Sequence, residues 1–441
     1  MDVPAAADTP AIIAALYASP DSATATLTRL FPHLAEERDT FSVLAAEEHA
    51  RELDPVEFAT MVFGLEGRQV VALRSQAPTY LRIDDGPWIE LRRVADSSLC
   101  FTVATVPDQR TYRFSVRVGN LVAGTSDFAA YGPSSFSTSG VGKGVLTGPH
   151  HVESAVYPGA VTSFWTYANA GAGRDGECPV MVWHDGQNYL DPADTFLHRL
   201  KTVSDNLVDS KSIPAMVHVL VAPSEPTRNL PLQYSGQTQQ DAMRSLQYDT
   251  VSDRYGWLLL SEILPEVAKS HPIRRDGYSR ATVGLSSGGI CAFTLGWFHS
   301  QDFSRVASGI GSFTGLRWEP GQPDLGGFLY PHLIRRAPRK NLRVWISEGS
   351  WDVDVTEAGR ADTFGAGSWP LANLALAQSL GARGYDYHLR FGDAGHNWAQ
   401  TALDLPAMLT WLWRDYDPSL TDQDFAQGRT PHVPLRVRLT N

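Results

Sequence analysis

The sequence predicts an α/β protein with a mostly parallel central sheet, carried behind a helical segment and a small β-sandwich. Three observations lead there. The chain has 441 residues, and single cores seldom grow past about 250–300 residues, so it divides. Residues 56–118 contain short β-rich runs separated by turn residues. Beyond residue 150, strand-like apolar runs alternate with helical stretches, the pattern of a parallel sheet wrapped by helices. The expected domains are residues 1–55 (helical), 56–149 (sandwich and linker) and 150–441 (the α/β domain).

The elements follow in order. Pro10 can open a helix, and Ile12, Ile13, Leu16, Tyr17, Leu27, Leu30, Leu34, Phe41, Val43 and Leu44 recur at helical spacing until Asp54-Pro55. Residues 56–64, 70–74, 99–106 and 112–118 read as strands bounded by Glu66-Gly67, Asp84-Asp85-Gly86-Pro87, Pro107-Asp108 and Gly119-Asn120. Strands at such short intervals suggest an Ig-like sandwich. Residues 132–149, rich in Gly and Ser, read as linker. Expected strands of the α/β part are 161–167, 180–183, 217–222, 281–285, 342–347 and 385–391. Helices are expected at 255–268, 288–298, 371–380 and 407–416.

Composition excludes several classes. The chain is 43% hydrophobic and 19% charged, enough for a packed interior and against whole-chain disorder. The net charge of −11 and the lack of any Lys/Arg-rich run argue against a nucleic-acid partner. Cys100, Cys178 and Cys291 are widely spaced without a C-x-x-C pair, which disfavours a disulfide framework and a zinc–thiolate site. Residues 1–20 lack a basic start followed by an apolar block, and no run approaches the roughly 20 apolar residues of a membrane span. The expectation is a soluble, cytoplasmic protein with no membrane partner.

Gly284-Leu285-Ser286-Ser287-Gly288 has the form G-x-S-x-G. Alone it could be a Gly/Ser turn or a phosphate cradle. Here a buried strand precedes it and a helix follows, the setting a nucleophile elbow demands. Such a turn exposes the Ser hydroxyl at a helix N-terminus, where backbone N–H groups favour developing negative charge. Ser286 is the expected nucleophile, and Ser287 the donor of one oxyanion-hole amide.

A serine nucleophile needs an imidazole base and a carboxylate to orient it. His396, in a loop after a late strand, is the expected base; His299, His332, His388 and His432 fall at a helix end, in a loop, in a strand and in the tail. Asp352, just past the 342–347 strand, is the chosen acid, with Asp354 and Glu348 as alternatives; Asp393 is disfavoured as too close in sequence to His396. The second oxyanion amide is expected at Gly186 or Gln187, in a loop after an earlier strand. His184 and Asp185 suggest metal, but no H-x-H or H-E-x-x-H accompanies them, so no metal and no cofactor is expected. Arg228, Arg254, Trp351 and Trp369, with Trp318, are loop-borne candidates for holding an aromatic, anionic small-molecule ester. Ordinary Trp packing and solvated Arg are the competing explanation.

Residues 180–415 resemble the esterase D branch of the α/β-hydrolases, most closely the enterochelin (enterobactin) esterase-like proteins. The resemblance rests on residues 182–187 with their D-G-Q, 259–267 (L-L-S-E-I-L-P-E-V), 281–293 (A-T-V-G-L-S-S-G-G-I-C-A-F), Gly395-His396 and Trp369-Pro370-Leu371-Ala372-Asn373. It implies a Ser286–Asp352–His396 triad and ester hydrolysis, with a ferric-siderophore lactone as one substrate class. It also implies a lid or substrate-shaping role for the β-rich N-terminal part. Two departures bear on the substrate and not on the chemistry. Arg228-Asn229-Leu230-Pro231-Leu232 lacks the Glu of the R-x-x-E-L segment, and Asn397 stands where Asp usually follows the His. Feruloyl and other carbohydrate esterases share this branch. The alternative of another class is a non-catalytic relic that binds carbohydrate through its β domain.

Overall fold

The computed structural model describes residues 9–31, 44–45, 60–65, 67–106, 109–124, 127–190, 199–232, 236–317, 326–354 and 367–425. The chain forms two compact units, Met1–Val141 and Gly142–Asn441.

In the first unit, helices Thr9–Ala18 and Pro20–Leu30 are joined at Ser19, whose hydroxyl caps the second helix by accepting from Ser22 N–H. Strands Thr60–Leu65, Arg68–Arg74, Leu99–Thr105 and Arg92–Arg93 form an antiparallel sheet. A second antiparallel sheet has the order Leu44–Ala45, Leu121–Gly124, Phe114–Val118, Thr79–Ile83, Ile89–Glu90. Arg68–Arg74 is apolar on both faces, and period-two alternation explains why. Val70 and Ala72 pack with Ile12, Leu16, Leu27 and Leu30 of the helices, while Val71 and Leu73 pack with Leu81, Phe114 and Val116 of the other sheet. Leu44–Ala45, expected to be helical, pairs instead with Ala123 and Gly124 as an edge strand. The rest of the expected helix beyond Phe31 lies outside the described residues.

The second unit is built on one mixed sheet. Its strands are β1 (Val145–Glu153), β2 (Ala160–Ala168), β3 (Val180–His184), β4 (Val217–Val221), β5 (Arg280–Leu285), β6 (Arg305–Gly309), β7 (Arg343–Trp351) and β8 (Asp386–Gly395). The spatial order is β1-β2-β4-β3-β5-β6-β7-β8, with Glu225–Pro226 adding a short pairing to β2. β2 runs antiparallel to β1 and β4; every pairing from β4 to β8 is parallel. The helices that matter below are α1 (Arg199–Asp209), α2 (Gln239–Tyr248), α3 (Ser287–Phe298), α4 (Tyr330–Arg336), α5 (Trp369–Ala382) and α6 (Ala399–Trp413). Both faces are covered: on β3, Val180 and Val182 belong to one apolar cluster and Met181 and Trp183 to another, so the central strands read as continuous apolar runs.

Three expectations need correction here. The division between units falls at Val141/Gly142 rather than after residue 149, because residues read as linker form β1. That strand is almost wholly exposed at the sheet edge and so carries little apolar signal. β6 was not anticipated; Arg-Val-Ala-Ser-Gly is short and polar, yet all five residues are buried. α6 starts at Ala399 instead of 407 and runs through Pro406, which reads from sequence as a breaker.

His218 on β4 is fully buried. Trp183 Nε1 donates to its Nδ1 at 3.0 Å, and its Nε2 lies 2.7 Å from Ser204 Oγ. An indole only donates, so the neutral ring carries its hydrogen on Nε2. His184, also buried, sits 2.9 Å from Thr282 Oγ1. Burial pushes both imidazoles down to about 3, whereas in an unfolded chain they titrate near about 6.5. Between these values the unfolded state binds more protons, so stability present above the unfolded pKa is lost as pH falls. These two residues are expected to lower the unfolding free energy by about 2 kcal/mol between about pH 6 and pH 5. Urea midpoints of the wild type and of His184→Gln and His218→Gln variants measured across that window check it; variants with the same pH dependence as the wild type would contradict it.

Candidate active site

Every predicted catalytic residue follows the C-terminal end of a parallel strand, where open α/β sheets carry their ligands. Ser286 links β5 to α3 with φ 55° and ψ −121°, a backbone conformation that non-glycine residues rarely adopt. Its N–H donates to Gly309 O at 2.9 Å, and its carbonyl accepts from Gly289 and Ser312 N–H at 2.9 and 3.0 Å. The glycine before it is sterically required: a Cβ on Gly284 would overlap the Gly288 carbonyl.

Ser286 Oγ lies 2.8 Å from His396 Nε2, and His396 Nδ1 lies 2.6 Å from Asp352 Oδ1. Sheet register explains this convergence. Trp351 on β7 pairs with Gly395 on β8, so Asp352 and His396 are the next residues of two adjacent strands. Asp352 Oδ1 also accepts from Val353 N–H at 2.5 Å. The Asp352 side chain is fully buried, while His396 keeps 26% exposure, open enough to meet a substrate.

The alternative acids sit differently. Glu348 is fully buried, accepting from Gly349 N–H at 2.9 Å and from Asn373 Nδ2 at 2.5 Å. Burial, and then the neighbouring Asp352, push its carboxyl well above the usual carboxylate range. That favours its neutral form, a poor counter-charge for an imidazolium. Asp354 is half-buried and has no hydrogen bond to His396 among those of the described residues.

On the oxyanion side, Ser287 opens α3, and Gly186 and Gln187 open the turn after β3, the strand beside β5. Asp185, at φ 56°, aims that turn. A Cβ on Gly186 would overlap the Leu220 backbone, while one on Gly288 would lie 3.2 Å from Asp185 Oδ2. The two loops therefore press together. Arg244 of α2 clamps both Asp185 oxygens at 2.7 Å, a bidentate pair that fixes the turn. Ser287 is buried at the first position of α3, where its backbone amide is the group it offers to the site. This Arg244–Asp185 brace was not anticipated and has no local sequence signal, since its partners are 59 residues apart.

Of the expected substrate-binding residues, Trp351 and Trp369 adjoin the triad. Trp351 is 61% exposed beside Asp352. Trp369 is buried, edge-on to His396 with ring centroids 5.5 Å apart. Arg254 is engaged with Val156 O at 2.6 Å and lies over the Tyr157 ring. Arg228 is exposed next to Gly159. Trp318 lies outside the described residues. The cysteines are free and buried. Among the described residues, no group of three His, Cys, Asp or Glu could hold a metal ion, and no helix is long and apolar enough to cross a membrane.

The Esterase family model matches residues 170–412, more than half of the chain. The chain belongs to the esterase family. This esterase is 27% identical over 178 residues to the iron(III) enterobactin esterase of Dickeya dadantii (strain 3937), covering 38% of this chain. The match spans 37% of that curated relative's length. Among solved structures, it resembles the enterobactin esterase of Shigella flexneri, solved in the presence of enterobactin, with a TM-score of 0.51 at 14% identity over 80% of this chain and 95% of that one. The ferric enterobactin esterase of Salmonella typhimurium gives a TM-score of 0.50 at 16% identity over 80% of this chain and 96% of that one. At such identities the likeness is one of fold, an α/β-hydrolase with a mixed sheet.

Proposed function

We propose that this esterase hydrolyses carboxylic esters through an acyl-enzyme on Ser286. His396 takes the Ser286 proton as Oγ attacks the ester carbonyl and delivers it to the leaving alcohol. It then deprotonates the water that releases the acid and restores Ser286. Asp352 holds the imidazole with its hydrogen on Nδ1. The amides of Ser287 and of Gly186 or Gln187 receive the oxyanion. The observation that carries this reading is the unbroken contact line Ser286 Oγ–His396 Nε2–Nδ1–Asp352 Oδ1 at 2.8 and 2.6 Å.

For the substrate, we propose an enterobactin-type siderophore lactone. The match to the Dickeya enzyme supports it, and exposed Trp351 beside the triad offers a face to an aromatic acyl group. Feruloyl and carbohydrate esters are the competing class. We further propose that the two facing sheets of the first unit form an Ig-like sandwich.

A fluorophosphonate probe tests the chemistry: stoichiometric labelling of Ser286 is expected, and an unlabelled protein would instead be the non-catalytic relic. For the substrate, kcat/KM is compared on ferric enterobactin, methyl ferulate and an acetylated sugar. The lactone is expected to be fastest; a faster feruloyl or sugar ester would transfer the assignment.

A further inference from the structure

Ser312, three residues beyond β6, is fully buried. Its Oγ lies 3.2 Å from Ser286 Oγ and 3.1 Å from Trp369 Nε1. The directions of these hydrogen bonds are forced. An indole N–H can only donate, so Trp369 gives its hydrogen to Ser312 Oγ. An ionised carboxylate only accepts, so His396 carries its hydrogen on Nδ1, toward Asp352, and its Nε2 accepts. Ser286 has one hydroxyl hydrogen, and it goes to Nε2. Ser286 Oγ therefore accepts from Ser312, whose single hydrogen points at it. One directed line results: Trp369 to Ser312 to Ser286 to His396 to Asp352.

We propose that Ser312 is a catalytic residue that donates a hydrogen bond to the nucleophile's Oγ, and that Trp369 is the positioning residue that aims it. This rests on Ser286 being the nucleophile. As His396 withdraws the Ser286 proton, negative charge builds on Oγ, and a donor already aimed there binds the charged form more strongly than the neutral one. The same donor helps when Oγ leaves the acyl group in deacylation. Ser312 transfers no proton; its hydrogen stays on its own oxygen while the Ser286 proton travels through His396. By filling the acceptor side of Ser312, Trp369 turns the hydroxyl hydrogen toward Ser286. Its indole also packs near-perpendicular to the His396 ring, so one side chain touches both neighbours of the nucleophile.

The test compares Ser312→Ala, Trp369→Phe and the double variant by turnover of a p-nitrophenyl ester and by the rate of phosphonylation with a fluorophosphonate. Ser312→Ala is expected to slow kcat/KM and phosphonylation together by about 10- to 100-fold, with KM changed by less than about twofold. Trp369→Phe keeps the ring and removes the donor, and is expected to cost about tenfold. The double variant is expected to be no slower than Ser312→Ala, because both changes break one line. If Ser312→Ala does not fold, Ser312→Cys, a weak donor in the same place, is expected to be slowed in both assays. A Ser312 variant as fast as the wild type, or a double loss equal to the product of the single losses, overturns the proposal. Turnover by Ser286→Ala would instead overturn the nucleophile itself, so the two failures are distinguishable.

Discussion

Ser286→Ala is expected to lower kcat on a p-nitrophenyl ester by about 10⁴–10⁶-fold and to abolish fluorophosphonate labelling. The size follows from what is removed. Without Oγ there is no acyl-enzyme, and only the oxyanion amides and substrate binding remain to help water attack. The fold is expected to persist. Ser286 is held by its backbone through Gly309, Gly289 and Ser312, and its hydroxyl bonds only to His396 and Ser312 among the described residues. Losing the methylene-borne oxygen also relieves nothing of the φ 55° conformation, so Tm is expected to stay close to the wild type. Steady-state kinetics with purified protein check this; a variant that retains most of its turnover would place the nucleophile elsewhere.

Asp352→Asn is expected to lower kcat by about 10³–10⁴-fold. Asp352 Oδ1 accepts from both His396 Nδ1 and Val353 N–H. An amide that keeps its oxygen in the Oδ1 place still accepts from both donors but carries no charge; one that turns its NH₂ toward His396 needs Nδ1 bare, which puts the ring hydrogen on Nε2, where the ring can no longer accept from Ser286. Either way the imidazolium loses its counter-charge in a buried setting. Asp354→Asn is expected to cost less than about tenfold, as Asp352 and Ser286 already engage the two ring nitrogens of His396. The two variants are compared by kcat at matched Tm. The opposite ranking would transfer the role to Asp354.

Much of the site was legible because its chemistry is written locally. Strand, elbow and helix occupy one stretch, residues 280–298, with Gly284 where a Cβ would collide with backbone. Asp352 and His396 could be narrowed by position after the expected strands 342–347 and 385–391, though only the observed register, Trp351 opposite Gly395, makes them adjacent. What stayed hidden depends on pairing between distant segments. Ser312 lies 26 residues from Ser286 and 57 from Trp369, and nothing near it in sequence marks it as more than a loop serine. Trp369 was legible as a residue near the site, but not that its indole faces Ser312 rather than a substrate. Arg254 clamps the Val156 carbonyl, and charge alone does not distinguish such a clamp from a ligand contact. In the fold, the edge strand β1 and the short β6 escaped for opposite reasons. The first is too exposed to show an apolar pattern, and the second is too short and polar despite complete burial.

The measurement that bears most directly on the whole account is acid-quench mass spectrometry during turnover of an activated ester. Enzyme mixed with excess p-nitrophenyl ester is stopped within the first turnovers, digested and mapped. The account expects one acyl group per chain, on the peptide bearing Ser286, formed with a matching burst of p-nitrophenol. An acyl group on any other residue, or full turnover with Ser286 never modified and no burst, would contradict it.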